Sequence, residues 1–224
     1  MKQTCSGSGI VPIIKDSNNK YYFVLFKSII RNKSINNLIE DAGGEYEGGN
    51  IKISAIRELK EESSLIFNLE NLKNKENILF LNKILTKFNI VNENLNNQYY
   101  VSHFVHLIDK EKGYFDFVQL RKDYINNMRN FWKNGFSIFT ENKDIIFIPI
   151  EQIINNNTEY VKDYLNKEYV LFERTYNIFK NLKKNHNIKD FFDELIKNPI
   201  ILNKKEKETY KYDKYSVSNL ITYE

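Results

Sequence analysis

Three glutamates, Glu58, Glu61 and Glu62, follow a glycine-rich stretch, Gly43-Gly44-Glu45-Tyr46-Glu47-Gly48-Gly49. In an α-helix each residue turns by about 100°, so positions i, i+3 and i+4 fall on one face. Ala55, Ile56 and Leu59 occupy the adjoining arc and are expected to face a core. Like charges packed side by side repel, by a few tenths of a kcal/mol for each close pair. A hard divalent cation, Mg²⁺ or Mn²⁺, is the natural neutraliser of such a face, because these ions take carboxylate oxygens. A solvated, charged helix face is the plainer reading of Arg57-Glu58-Leu59-Lys60-Glu61-Glu62. The glycines argue against it. Of eight in the chain, four lie at 43, 44, 48 and 49, and one of only five arginines, Arg57, opens the acidic run.

Gly44 through Leu65 resembles the Nudix box, whose usual form is Gly-x5-Glu-x7-Arg-Glu-U-x-Glu-Glu-x-Gly-U, with U apolar. Arg57, Glu58, Leu59, Glu61, Glu62 and Leu65 match its second half. The first half departs. Counted from Gly44 the box glutamate falls on Asn50; counted back from Arg57 it falls on Gly49, with Gly43 as the box glycine. Ser64 stands where a second glycine is usual. The resemblance implies an α/β/α Nudix sandwich with a mixed sheet and extra C-terminal helices. It also implies a pyrophosphohydrolase that cleaves a phosphoanhydride in a nucleoside-diphosphate-linked substrate. By the same resemblance Glu58, Glu61 and Glu62, with a carbonyl of the Gly43-Gly44 turn, hold one to three Mg²⁺ or Mn²⁺. Arg57 braces the carboxylates, with Glu47 or Asn50 standing in for its missing partner. A further acid outside the box serves as ligand or general base; Glu141 is the first candidate and Asp144 the second.

Other chemistries find little support. His103 and His106 lie three apart on an expected strand, hence on opposite faces, which argues against a shared metal site. No Ser/His/Asp or Cys/His arrangement suggests nucleophilic catalysis, and no Cys/His spacing suggests zinc. Gly7-Ser8-Gly9 lacks the third glycine of a dinucleotide fingerprint and precedes no helix. The aromatics Tyr21, Tyr22, Phe23, Tyr99, Tyr100, Phe131 and Trp132 read mainly as core, with one or two left to stack on a base.

The elements that must position these groups follow from periodicity. Gly9–Ile14 and Tyr21–Lys27 read as a hairpin around Asp16-Ser17-Asn18-Asn19. Residues 37–42 read as a short strand entering the glycine loop. Asn50 is the expected N-cap of a helix over 51–64. Residues 68–77 read as connector, 78–86 and 98–108 as strands, 117–132 as a helix, 144–150 as a strand ending at Pro149, and 151–154 as a short helix. Residues 160–184 and 188–197 read as C-terminal helices, and 204–224 as a tail or a last strand near 215–221. The expected division is a core over 1–158 with 159–224 packed on it.

Composition bounds the rest. The chain has 224 residues, a net charge of +4, a pI near 8.8 and one cysteine, Cys5. A lone cysteine excludes an internal disulfide framework and fits a reducing compartment. No apolar run reaches membrane-spanning length, and the opening residues lack the apolar core of a signal peptide. A cytoplasmic protein with no membrane partner is expected. The mild basicity suits polyanions. Three readings stay open. The first is a hydrolase of small nucleoside diphosphate derivatives, dinucleoside polyphosphates or diphosphoinositol polyphosphates. The second is an mRNA decapping enzyme taking capped RNA along lysines at 183–184 and 204–207, which the AT-rich cast of the composition also favours. The third is a non-catalytic nucleotide-binding module.

Overall fold

The computed structural model describes residues 4–28, 37–72, 75–93, 98–155 and 157–202. The expected strand near 215–221 and the lysines at 204–207 lie outside these residues. The chain is a mixed α/β sandwich. Its central sheet runs β10 (Ile200–Leu202), β6 (Gln98–Asp109), β1 (Thr4–Lys15), β2 (Tyr21–Ser28), β7 (Asn142–Pro149), with β4 (Ala42–Glu45) added to β1 and β5 (Asn89–Glu93) to β6. Strand β1 (Thr4–Lys15) turns through Asp16–Asn19 into antiparallel β2 (Tyr21–Ser28). Asp16 Oδ1 accepts from the Asn18 and Lys20 backbone amides, so a single side chain fastens the turn. Strand β6 (Gln98–Asp109) runs parallel to β1, and β7 (Asn142–Pro149) antiparallel to β2.

Alternation sorts the helices. Phe104 of β6 meets Phe179 of α5 (Glu173–Asn185) and Phe191 and Phe192 of α6 (Ile188–Ile196). On the opposite face Tyr22 and Phe26 of β2 meet Phe117 and Tyr124 of α3 (Phe117–Lys133). Helix α1 (Ile51–Glu62) covers β1 and β4 (Ala42–Glu45) on that same side. Phe23, next to Tyr22, meets Phe179 and Phe192 instead, so two adjacent side chains point into two different layers.

Three expectations need correction. Residues 78–86 are not a strand but most of α2 (Lys75–Lys87), followed by β5 (Asn89–Glu93). Leu81, Ile84 and Leu85 are its buried positions, at helical spacing. A short apolar run is compatible with either period until packing chooses one. Residues 160–172 are not helical: β8 (Tyr160–Lys162) and β9 (Glu168–Leu171) form a second sheet with β3 (Leu38–Ile39), in the order β3-β9-β8. The expected strand at 37–42 is split into β3 and β4, with Glu40 bridged to Phe26 between them. The short helix α4 (Ile150–Asn155) follows β7 as expected, and β10 (Ile200–Leu202) adds an unforeseen parallel edge beside β6. Among the described residues no helix is long and apolar enough to cross a membrane.

His103 and His106 are structural. Their Nδ1 atoms lie 2.7 Å from the Leu85 carbonyl and 2.9 Å from the Ile196 carbonyl. Because a carbonyl only accepts, each Nδ1 carries the proton. Burial pushes each imidazole down to about 4 from its usual 6.5. The neutral form is therefore the folded form. The unfolded chain binds protons first, so stability is complete above pH 6.5 and falls as pH drops toward 4. Each histidine should contribute about 3 kcal/mol to that loss. His103→Asn, which keeps an amide donor near the Nδ1 position, should flatten the fall by that amount in urea titrations run from pH 7 to 4. An unchanged profile would mean that protonation of His103 does not drive the fall.

Candidate active site

Helix α1 begins as its sequence dictates. Asn50 Oδ1 accepts from the Lys52 amide at 2.9 Å, and Ala55, Ile56 and Leu59 are fully buried. Asn50 is thus spent on capping and does not partner Arg57. Arg57 Nη2 instead donates to Glu58 Oε1 at 2.5 Å and Nη1 to Glu61 Oε2 at 2.9 Å. Burial opposes the arginine's charge, but Glu58, Glu61 and Glu47 together hold its pKa above the ordinary value. Glu47 therefore helps at a distance, and the bracing of Glu58 and Glu61 comes from Arg57 itself.

The glycine loop brings backbone against carboxylate. A Cβ on Gly44 would stand 2.6 Å from Glu58 Oε2, so any other residue there would drive Glu58 away. A Cβ on Gly43 would fall 1.8 Å from the Tyr100 hydroxyl oxygen. The Gly43 amide donates to Glu62 Oε1 at 3.3 Å, and Asn142 Nδ2 donates to Glu62 Oε2 at 3.1 Å. All three carboxyls are harder to ionise than usual. Burial pushes Glu58 up to about 7, with Arg57 pulling it back and Glu61 and Glu141 pushing further. Burial raises Glu61 too, again offset by Arg57. Glu62 keeps some solvent exposure as a residue, yet enclosure of its carboxyl and the charge of Glu40 raise it well above the carboxylate range.

Glu141 lies in the exposed bend before β7, close enough for its charge to act on both Glu58 and Glu61. Asp144 is committed elsewhere: Arg121 grips both its oxygens, with Nε to Oδ1 at 2.8 Å. The structure thus brings Arg57, Glu58, Glu61, Glu62, Gly43 and Glu141 into one neighbourhood and leaves Asp144 outside it. Of the aromatics, Tyr22, Phe23 and Tyr100 are core, while Trp132 is exposed on α3.

A second cluster was not foreseen. Arg174, in the first turn of α5, donates from Nε to Asp41 Oδ1 at 3.1 Å and from Nη2 to Glu40 Oε2 at 3.3 Å and the Gly43 carbonyl at 3.2 Å. Its guanidinium lies 4.6 Å from the Tyr100 ring centre, and the Tyr100 hydroxyl donates to Asp41 Oδ2 at 3.1 Å. Thr175 Oγ1 closes the group on Asp41 Oδ1 at 2.8 Å. Burial opposes the Arg174 charge, but Asp41, Tyr100, Glu40 and Glu62 outweigh it and hold the pKa above its ordinary value. The small sheet explains the placement: β9 pairs with β3, the Phe172 amide donates to the Ile39 carbonyl at 2.8 Å, and α5 starts at the next residue. Gly43 joins the two clusters, its amide on Glu62 and its carbonyl on Arg174. This happens where β1 exchanges β4, paired through Ile10, for β2, paired from Ile13. The one mark that Arg174 carries in the sequence is the scarcity of arginine, five residues in the chain.

Among the described residues no group of three or more His, Cys, Asp or Glu side chains is gathered closely enough to hold a metal ion by itself. The donors nonetheless fit Mg²⁺ or Mn²⁺. Arg57 takes one oxygen each from Glu58 and Glu61, and Glu58 Oε2 and Glu61 Oε1 receive no hydrogen bond from the described residues. Mg²⁺ characteristically uses only one or two carboxylates and fills its shell with water and substrate phosphate.

No family model matches the chain, and no curated protein does. Among solved structures it is similar to a MutT/nudix family protein from Enterococcus faecalis, at 12% identity and a TM-score of 0.45, over 82% of this chain and 62% of that one. The chain thus spans less than two thirds of that protein's length. It is similar to a C. elegans Ap4A hydrolase in a binary complex, at 14% identity and a TM-score of 0.32, over 58% of this chain and 99% of the other. It is also similar to a NUDIX hydrolase from Alicyclobacillus acidocaldarius, at 9% identity and a TM-score of 0.39, over 86% and 97% of the two chains.

Proposed function

We propose that the protein is a metal-dependent pyrophosphohydrolase cleaving a phosphoanhydride in a nucleoside-diphosphate-linked substrate. The observation that carries this is the set of three crowded, desolvated carboxyls on one face of α1, with Glu58 seated against the bare Cα of Gly44. Glu58 and Glu61 would hold Mg²⁺ or Mn²⁺ through the oxygens Arg57 leaves over. Bound there, the ion would screen the diphosphate and lower the pKa of an attacking water. Arg57 fixes the rotamers of both carboxylates. Glu62, held by Gly43 and Asn142, and Glu141, at the open edge, are the groups placed to take the water's proton.

Glu141→Gln should lower kcat by about 10²-fold or more, the low end for a lost general base. Asp144→Asn should instead cost stability through Arg121 and leave kcat near wild type. The reverse pattern would move the base to Asp144. For the substrate, the basic balance and the lysines of α5 favour capped RNA over small nucleotides. In that case KM for a capped oligonucleotide should rise steeply with salt, with a log–log slope of about +0.7 per phosphate contacted, while the free cap dinucleotide shows a shallow slope. A screen with Mg²⁺ and Mn²⁺ over capped RNA, ADP-ribose, dinucleoside polyphosphates and diphosphoinositol polyphosphates tests the reaction itself. Turnover of none of them would overturn it in favour of a nucleotide-binding module, the reading that Arg57's hold on two carboxylates favours, and undiminished turnover by Glu58→Gln would take the metal-binding role away from Glu58. The single cysteine, Cys5, suits a reducing compartment such as the cytoplasm.

A further inference from the structure

A cavity of about 370 Å³ opens between α4 and α5, on the face of the sheet away from α1. Ile153, Leu171 and Phe179 form its apolar part, and Lys180, Lys183 and Lys184 stand at its edge; no acidic residue lines it. Tyr176, Phe179, Lys180, Lys183 and Lys184 occupy i, i+3, i+4, i+7 and i+8 of α5, which is one stripe of the helix. That stripe passes from aromatic to cationic along the axis. Tyr176 to Lys183 spans about 10 Å at the helical rise, the length scale of a ring joined through a sugar to a phosphate. The loop that forms the far wall is tied to the same stripe: the Tyr176 hydroxyl donates to the Asn157 carbonyl at 3.2 Å, and Lys183 Nζ to Asn157 Oδ1 at 3.1 Å. The helix dipole favours lysines in a last turn, but it asks for no concavity and no aromatic residues upstream.

We infer that this cavity binds a nucleoside phosphate, its base on the Tyr176 and Phe179 end and its phosphate on the lysines. The size falls in the ordinary range for small-ligand sites, and the lining combines apolar walls with a few charged groups at one end. Partial burial also lowers the Lys183 ammonium below its usual pKa, a cost that an arriving anion relieves. The ligand chemistry has two sources, a free nucleotide or a nucleotide within an RNA strand. The inference does not depend on the proposed reaction, because the cavity and α1 lie on opposite faces.

The test uses the full chain with EDTA present, so that the α1 carboxylates hold no metal, and reads binding by calorimetry and amide NMR. AMP should bind at one site and shift the amides of Ile153, Asn157, Tyr176 and Phe179, with adenosine and inorganic phosphate each weaker. The double variant Lys180→Glu/Lys184→Glu changes two exposed side chains and should keep its melting temperature. It should weaken AMP roughly tenfold or more, the scale of two lost charge-assisted contacts. Lys122→Glu/Lys133→Glu on α3, an equal change of net charge elsewhere, should leave AMP binding unchanged. A 5′-phosphorylated tetra-adenylate binding more tightly than AMP would identify a strand as the source, and equal or weaker binding a free nucleotide; either supports the site. No AMP binding at millimolar concentration, shifts centred on Glu58–Glu62, or equal weakening by the α3 variant would overturn it.

Discussion

Arg174→Met should be the most damaging single substitution in the chain, lowering stability by about 3–5 kcal/mol at pH 8. Removing one partner of a buried ion pair strands the other charge, and the desolvation of that charge is then uncompensated. Asp41 is fully buried, Glu40 nearly so, and Arg174 is the cation that faces both. The variant takes away the guanidinium to which both carboxylates bond. The double variant Arg174→Met/Asp41→Asn should lose less than Arg174→Met alone, because it removes the stranded acid as well. Urea denaturation across pH 5 to 8 measures both effects. A loss under about 1 kcal/mol would mean that the pair is solvated, contrary to its burial. The consequence reaches the site through Gly43, whose carbonyl Arg174 holds and whose amide holds Glu62. Arg174→Lys keeps the charge but cannot span Asp41, Glu40 and Gly43 at once. It should therefore weaken Mn²⁺ binding at temperatures where circular dichroism shows it folded.

Glu62→Gln should remove most activity while the fold holds or tightens. Its carboxyl is resisted by enclosure and by Glu40, with Glu58 and Asp41 adding to the repulsion. A group whose folded pKa is raised is destabilising when ionised: the folded chain binds its proton more readily, so stability grows as pH falls from the folded pKa toward 4.5. Glu58, raised to about 7, opens such a window within an accessible range. Wild type should gain stability between pH 8 and 5 from this cause, and Glu58→Gln should lose that gain while starting from a higher value at pH 8. Mn²⁺ should raise the melting temperature of wild type by mass action, and less so that of Glu62→Gln or Glu58→Gln. Calorimetric titration showing the same Mn²⁺ affinity in Glu62→Gln as in wild type would remove Glu62 from the metal's surroundings.

Local periodicity made much of this protein legible. The cap at Asn50, the apolar arc of Ala55, Ile56 and Leu59, and the shared face of Glu58, Glu61 and Glu62 are all set within one or two helical turns. The hairpin at Asp16–Asn19, the long strand β6 and helices α3 and α6 were readable for the same reason. What sequence could not decide depends on contacts between distant segments. Residues 78–86 carry an apolar run that suits either period, and only the burial of Leu81, Ile84 and Leu85 makes it a helix. Residues 160–171 extend because β9 finds β3, more than 130 residues away in the chain. Arg174 reaches Asp41 and Gly43 by the same route, and no spacing in the sequence marks an ion pair between residues so far apart. Local helical spacing sets where the carboxylates stand on α1, whereas how hard they are to ionise comes from the fold, through burial and through charges brought in from distant segments.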